Sequence, residues 1–155
     1  MRPIVTWLIL VAFAACLLGQ QSKRVTVMRL YSVSDGPALV DTFELKLTPS
    51  AAYAFAEQSE AFKASGIQFL RLPRGKVQDW HNPAHRQYIL VLKGKCEVEI
   101  EGGKKLFMTP GQIVLLEDVA GKGHITRSIG SEDLLMAAVP LPVEQNTEEI
   151  KQTNK

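Results

Sequence analysis

Along residues 66–139 apolar and polar positions alternate in short runs broken by turn residues, the signature of half-buried strands. Lys95-Cys96-Glu97-Val98-Glu99-Ile100 alternates strictly, which puts Cys96, Val98 and Ile100 on one inward face. The pattern predicts strands over 67–72, 77–81, 86–92, 95–101, 104–108, 112–116, 122–129 and 134–139, punctuated by Lys93-Gly94, Gly102-Gly103 and Pro110-Gly111. So many short strands with no helical period between them predict an all-β fold, a sandwich or small barrel rather than βαβ units. Upstream, 25–33 and 39–47 are two β-branched, apolar runs around Ser34-Asp35-Gly36-Pro37 and predict a hairpin. Between hairpin and strands, Thr48-Pro49-Ser50 can cap and start a helix, and the alanine-rich stretch that follows predicts one short helix near residues 50–64. Its apolar face is short: Ala52, Phe55 and Phe62, helped by Tyr53.

The ends of the chain have a different texture. Arg2 precedes an almost wholly apolar run over 4–18, matching the charged and apolar regions of a secretory signal, so 1–19 is assigned as a signal peptide and the protein as secreted or exported. Two alternatives stay open: membrane anchoring through the same segment, which is shorter than the about 20 residues that span a bilayer, and lipidation at Cys16, where Phe13-Ala14-Ala15-Cys16 loosely follows a lipobox. The predicted barrel domain covers 25–141, with no membrane span in the mature chain. Residues 142–155, almost entirely polar, form a predicted disordered tail.

Charge is nearly balanced, 18 Lys and Arg against 16 Asp and Glu, and no basic stripe interleaves with aromatics, which argues against a nucleic-acid partner. The chain has two cysteines. With Cys16 in the signal, Cys96 has no partner for a disulfide and reads as a small buried hydrophobe.

The chain has three histidines, and all lie in two glycine-bounded segments, 75–94 (His81, His85) and 111–124 (His124). Histidine is both a common metal ligand and the side chain that titrates nearest neutrality, so this clustering marks one candidate site. No Ser-His-Asp triad, phosphate loop, paired-cysteine zinc pattern or glycosylation sequon accompanies it. By strand parity Arg86, Lys93, Lys95, Glu97 and Glu99 point outward into solvent, and Trp80 packs on the face opposite His81. Glu117 and Asp118 fall in a turn that reads as solvated, with a carboxylate supporting an imidazole as the alternative.

The first segment resembles the first motif of the cupin superfamily: Gly75, five residues, His81, then Pro83 in place of the second histidine, Gln87 in place of the glutamate, and Gly94 six residues on. The second segment resembles the second motif through Gly111, Gly121 and His124, with a first gap two residues longer, Val119 in place of the proline and Ser128 in place of the asparagine. The resemblance implies a single cupin-like jelly-roll barrel. It places His81, Gln87 and His124 together in the barrel mouth, as ligand-binding residues or as ligands of one divalent transition metal (Fe, Mn, Ni or Zn), and it implies a homodimer. His85 shares a strand face with Gln87 and is a lesser metal candidate.

Three functions remain open: a barrel binding a small molecule without metal, a metal-dependent dioxygenase or isomerase, and a structural or interaction protein. Two imidazoles and an amide bring no negative charge to a cation, which favours the first over the second.

Overall fold

The computed structural model describes residues 24–34 and 36–142. The predicted signal peptide, Cys16 and all but the first residue of the predicted tail lie outside them. The described residues form twelve strands and no helix. In chain order these are β1 (Val25–Ser32), β2 (Ala38–Leu45), β3 (Thr48–Pro49), β4 (Glu57–Gln58), β5 (Gln68–Leu72), β6 (Val77–His81), β7 (Gln87–Lys93), β8 (Lys95–Ile100), β9 (Lys105–Met108), β10 (Ile113–Glu117), β11 (His124–Ile129) and β12 (Leu134–Pro140).

Alternation decides which face each strand buries. A six-stranded sheet in the order β2-β1-β10-β7-β12-β5 packs against a four-stranded sheet in the order β6-β11-β8-β9. One face of each supplies the core: Leu30, Ile89, Val91, Val114, Leu116, Leu134, Met136 and Ala138 from the larger sheet meet Cys96, Val98, Ile100 and Met108 from the smaller. Burying such side chains is worth about 1.5–3 kcal/mol each, and this layer dominates stability. Cys96 is 1% exposed, and burial pushes its thiol pKa up to about 11, so it is an inert core residue as its strand parity predicts. The predicted hairpin forms, with Val25 opposite Leu45 and Ser32 opposite Ala38. The β1–β10 pairing is parallel and joins the hairpin to the body of the large sheet.

The predicted helix near 50–64 does not form. Ser50 does begin a cap, its Oγ accepting from the backbone N–H groups of Ala52 and Tyr53 at 3.2 Å. Phe55 then turns left-handed (φ 62°) and the Ser50 N–H closes onto the Ala56 carbonyl at 2.8 Å, so the chain makes one tight loop between β3 and β4. Helical propensity alone does not hold an element this short, and residues 51–55 are exposed with no apolar surface to bury against. The following stretch forms neither helix nor strand, and Phe62 reaches Tyr88 (ring centroids 5.7 Å apart) on the outer face of the large sheet. Phe62 joins Val27, Tyr88, Leu115 and Leu141 in a second apolar cluster there.

Beside that cluster, Arg29 is 8% exposed and holds Asp41 with two hydrogen bonds of 2.9 and 2.7 Å. Glu117 accepts from Arg86 Nε at 2.9 Å and stands 3.7 Å from Arg29. Arg86 is thus engaged in an ion pair, not left in solvent as its parity suggested. Glu97 and Glu99 are likewise tied, to Arg127 at 3.1 and 2.7 Å, with Lys105 3.0 Å from Glu97.

Candidate functional site

His81 is the last residue of β6, Gln87 the first of β7 and His124 the first of β11, so all three lie at one end of the barrel, where the 82–86 and 118–123 connections meet. His124 pairs directly with His81 across the β6–β11 ladder. That pairing requires Gly123: its φ is +70°, and a Cβ there would lie 2.0 Å from the His81 carbonyl oxygen. Asn82 ties the same corner, donating from Nδ2 to the carbonyls of Asp118 at 2.7 Å and Ala120 at 3.1 Å.

The three side chains line one cavity of about 380 Å³ between the sheets. Its body is apolar, built by Ile89, Val98, Met108, Val114, Leu116 and Met136, with Gln78 and Thr126 adding polar groups beyond the histidines. No Lys, Arg, Asp or Glu is among its described lining residues. His85 is exposed and lines no part of it, so the strand-parity case for His85 as a ligand does not hold. The Pro83 turn intervenes: Pro83 itself is buried, and β7 starts only at Gln87.

Each imidazole is fixed from behind. His81 Nδ1 donates to the Asp79 carbonyl at 2.7 Å, and His124 Nδ1 donates to Asp118 Oδ2 at 2.6 Å. In both rings the nitrogen left for the cavity is Nε2. The rings stand 4.4 Å apart between centroids at 58°. Burial lowers the His81 pKa and the neighbouring His124 ring pushes the same way, opposed by the hydrogen bond to Asp79, the Asp118 carboxylate and the His124 backbone.

Asp118 is the residue that local sequence reasoning misplaces. It is 0% exposed, not solvated, and its Oδ1 has no hydrogen-bond partner among the described residues. Glu117 and Asp118 are adjacent yet face opposite ways, the first into the outer ion pairs and the second onto His124. The usable signal was the alternative set beside the solvated turn: a carboxylate six residues before a motif histidine. Trp80 also departs from simple packing, being half-buried with Lys122 Nζ 4.2 Å above its ring.

A resident metal does not fit this donor set. Two imidazole nitrogens and a neutral amide face the cavity. The nearest carboxylate is spent behind the His124 ring, and the described residues hold no group of three His, Cys, Asp or Glu side chains placed to share an ion.

No protein-family profile matches the chain, and no curated protein matches it. Several solved structures are similar. One is a protein of unknown function from Rhizobium leguminosarum bv. viciae 3841, 28% identical over 49% of this chain and 68% of that one, with a TM-score of 0.43. Another is an RmlC-like cupin family protein with a double-stranded β-helix fold from Methanocaldococcus jannaschii, 21% identical over 57% of this chain and 74% of that one, TM-score 0.43. A third is the cupin domain of Cnp3 from Schizosaccharomyces pombe, 15% identical over 83% and 88%, TM-score 0.38. Two sheets face across one apolar core, an all-β architecture in which the two glycine-bounded segments meet at His81 and His124.

Proposed function

We propose that this chain is an exported protein whose cupin barrel binds a small molecule in its mouth, against His81, His124 and Gln87, without a metal. The observation that carries the reading is the cavity itself: about 380 Å³, apolar in its body, with three motif-position polar side chains gathered at one end. That size and that division between apolar wall and few polar groups are typical of small-molecule sites. Export is supported by the apolar run over 4–18 behind Arg2. N-terminal sequencing of secreted material checks it, with a start between residues 17 and 22 expected; intact Met1 in a soluble cytosolic fraction would remove it.

The competing reading is a metal-dependent dioxygenase or isomerase, favoured by a buried carboxylate standing behind a histidine, as second partners of metal ligands do. Loading the purified protein in turn with Fe(II), Mn(II), Ni(II) and Zn(II), dialysing it and measuring metal content separates the two. Binding without metal predicts no stoichiometric retention of any ion. Retention near one ion per chain, lost in both His81→Ala and His124→Ala, would establish the metal reading instead.

A further inference from the structure

Away from the barrel mouth, the loop between β3 and β4 holds an aromatic ring out into solvent. Phe55 sits at φ +62°, a left-handed conformation that a bulky side chain rarely adopts, and it is fully exposed. The loop fixes it there: Ser50 Oγ accepts from the N–H groups of Ala52 and Tyr53, and the Ser50 N–H meets the Ala56 carbonyl. Among the described residues the ring gains no burial for the strain its backbone carries, and strain of this kind persists where a function uses it. Tyr53, beside it, is also largely exposed.

Closely following in the chain is a place for such a ring. A groove of about 470 Å³ lies between the outer face of the large sheet and residues 58–64. Leu45, Phe62, Leu90, Ile113, Val139 and Leu141 line it, and Gln58, Ser59 and Glu60 stand along its covering segment. An apolar space of about 150 Å³ already takes a benzene ring. Because ring and groove belong to one stretch of chain, a twofold axis beside the loop brings the ring of each copy against the groove of the other, the closed and self-complementary arrangement of a symmetric dimer.

We propose that the chain forms such a dimer, with Phe55 of each copy entering the groove of the other and Tyr53 covering its rim. The two aromatics from both copies, with the walls they cover, remove on the order of 1,400 Å² from water. Specific interfaces bury about 1,200–2,000 Å², so this contact is large enough to hold two chains together. A membrane is the other surface that takes exposed aromatics, but residues 47–62 carry Glu57 and Glu60 and no Lys or Arg, the wrong charge for an anionic bilayer.

The test compares the full chain with Phe55→Ser and with Ala61→Trp, which fills the groove from its exposed covering segment. Sedimentation equilibrium is expected to give a wild-type dimer with a Kd of about 1 µM or tighter, as interfaces of this size have. Each variant should dissociate at least about a hundredfold more readily, because the contact is lost twice per dimer. Mixed together, the two variants should associate more tightly than either alone, since the mixed dimer keeps one intact ring-and-groove contact; a variant that had failed to fold could not do this. In a mixture of ¹³C-labelled and unlabelled wild-type chains, isotope-filtered NOEs are expected from the Phe55 ring to the methyl groups of Leu90 and Ile113 across copies. A wild-type chain still monomeric at about 100 µM would overturn the proposal. So would a dimer as tight in Phe55→Ser as in wild type, no gain on mixing the variants, or a monomer that binds neutral vesicles through Tyr53 and Phe55.

Discussion

Asp118 holds the site from behind. With no exposed surface and its carboxylate hydrogen-bonded to His124, it fixes a proton on Nδ1 of that ring, as a carboxylate behind a functional histidine does elsewhere. Asp118→Asn sets an amide against the ring in place of the carboxylate, and weakening one buried hydrogen bond of this kind costs about 1–3 kcal/mol. Chemical denaturation is expected to show that loss, and the ¹⁵N spectrum of His124 to show a mixture of tautomers; an unchanged spectrum would contradict the assignment.

His81 supplies a pH signal of its own. Its folded pKa lies below the unfolded value near 6.5, because burial disfavours the imidazolium. The unfolded chain therefore binds the proton first, and stability is constant above that pH, falls as pH drops through it, and levels off below the folded pKa. Denaturant midpoints measured from neutral to acidic pH are expected to decline in this window, and less so in His81→Gln. The positions of His81, Gln87 and His124 were legible in the spacing between glycines. The burial of Asp118 was not, because Asn82, 36 residues away in sequence, holds its carbonyl in the fold.

Two close approaches between strands show what the elements require. A Cβ on Gly123 would meet the His81 carbonyl oxygen at 2.0 Å, and one on Gly94 would meet that of Asp133 at 2.4 Å, both at positive φ. At Gly111, φ is also positive (+89°) but the space is open. Gly111→Ala is therefore expected to cost about 1–2 kcal/mol of backbone strain alone. Gly94→Ala and Gly123→Ala should cost distinctly more, with Gly123→Ala also displacing His81, as thermal unfolding and the His81 NMR signals would show. Equal costs at all three would mean that the approaches relax freely.

The strands themselves were readable because alternation over β7, β8 and β10 is enforced by a core on one side. The residues near 50–64 were not, because alanine content reports helical propensity and says nothing of whether Phe55 finds a surface. It finds none, being fully exposed, while Phe62 finds Tyr88.

At the scale of the whole molecule the large sheet is used on both sides. Its inner face lines the cavity, and its outer face carries the cluster of Val27, Tyr88, Leu115 and Leu141 under Phe62, next to the Arg29, Asp41, Glu117 and Arg86 ion pairs. Phe62→Ala is expected to cost about 2 kcal/mol, less than a fully buried phenylalanine, and to speed proteolysis within 50–64 without altering ligand binding in the barrel. A coupled loss of binding would mean that the outer layer shapes the cavity.

The proposed binding of a small molecule in the barrel mouth, through His81, Gln87 and His124 with no metal, can be put to one experiment. The most direct test is a fragment screen by ¹H–¹⁵N NMR on the full chain with chelator present, repeated on His81→Leu. Hits are expected whose shifts gather on residues lining the cavity of about 380 Å³ and weaken in the variant. Hits that appear only after a transition metal is added, or that map to the outer face of the large sheet, would contradict it.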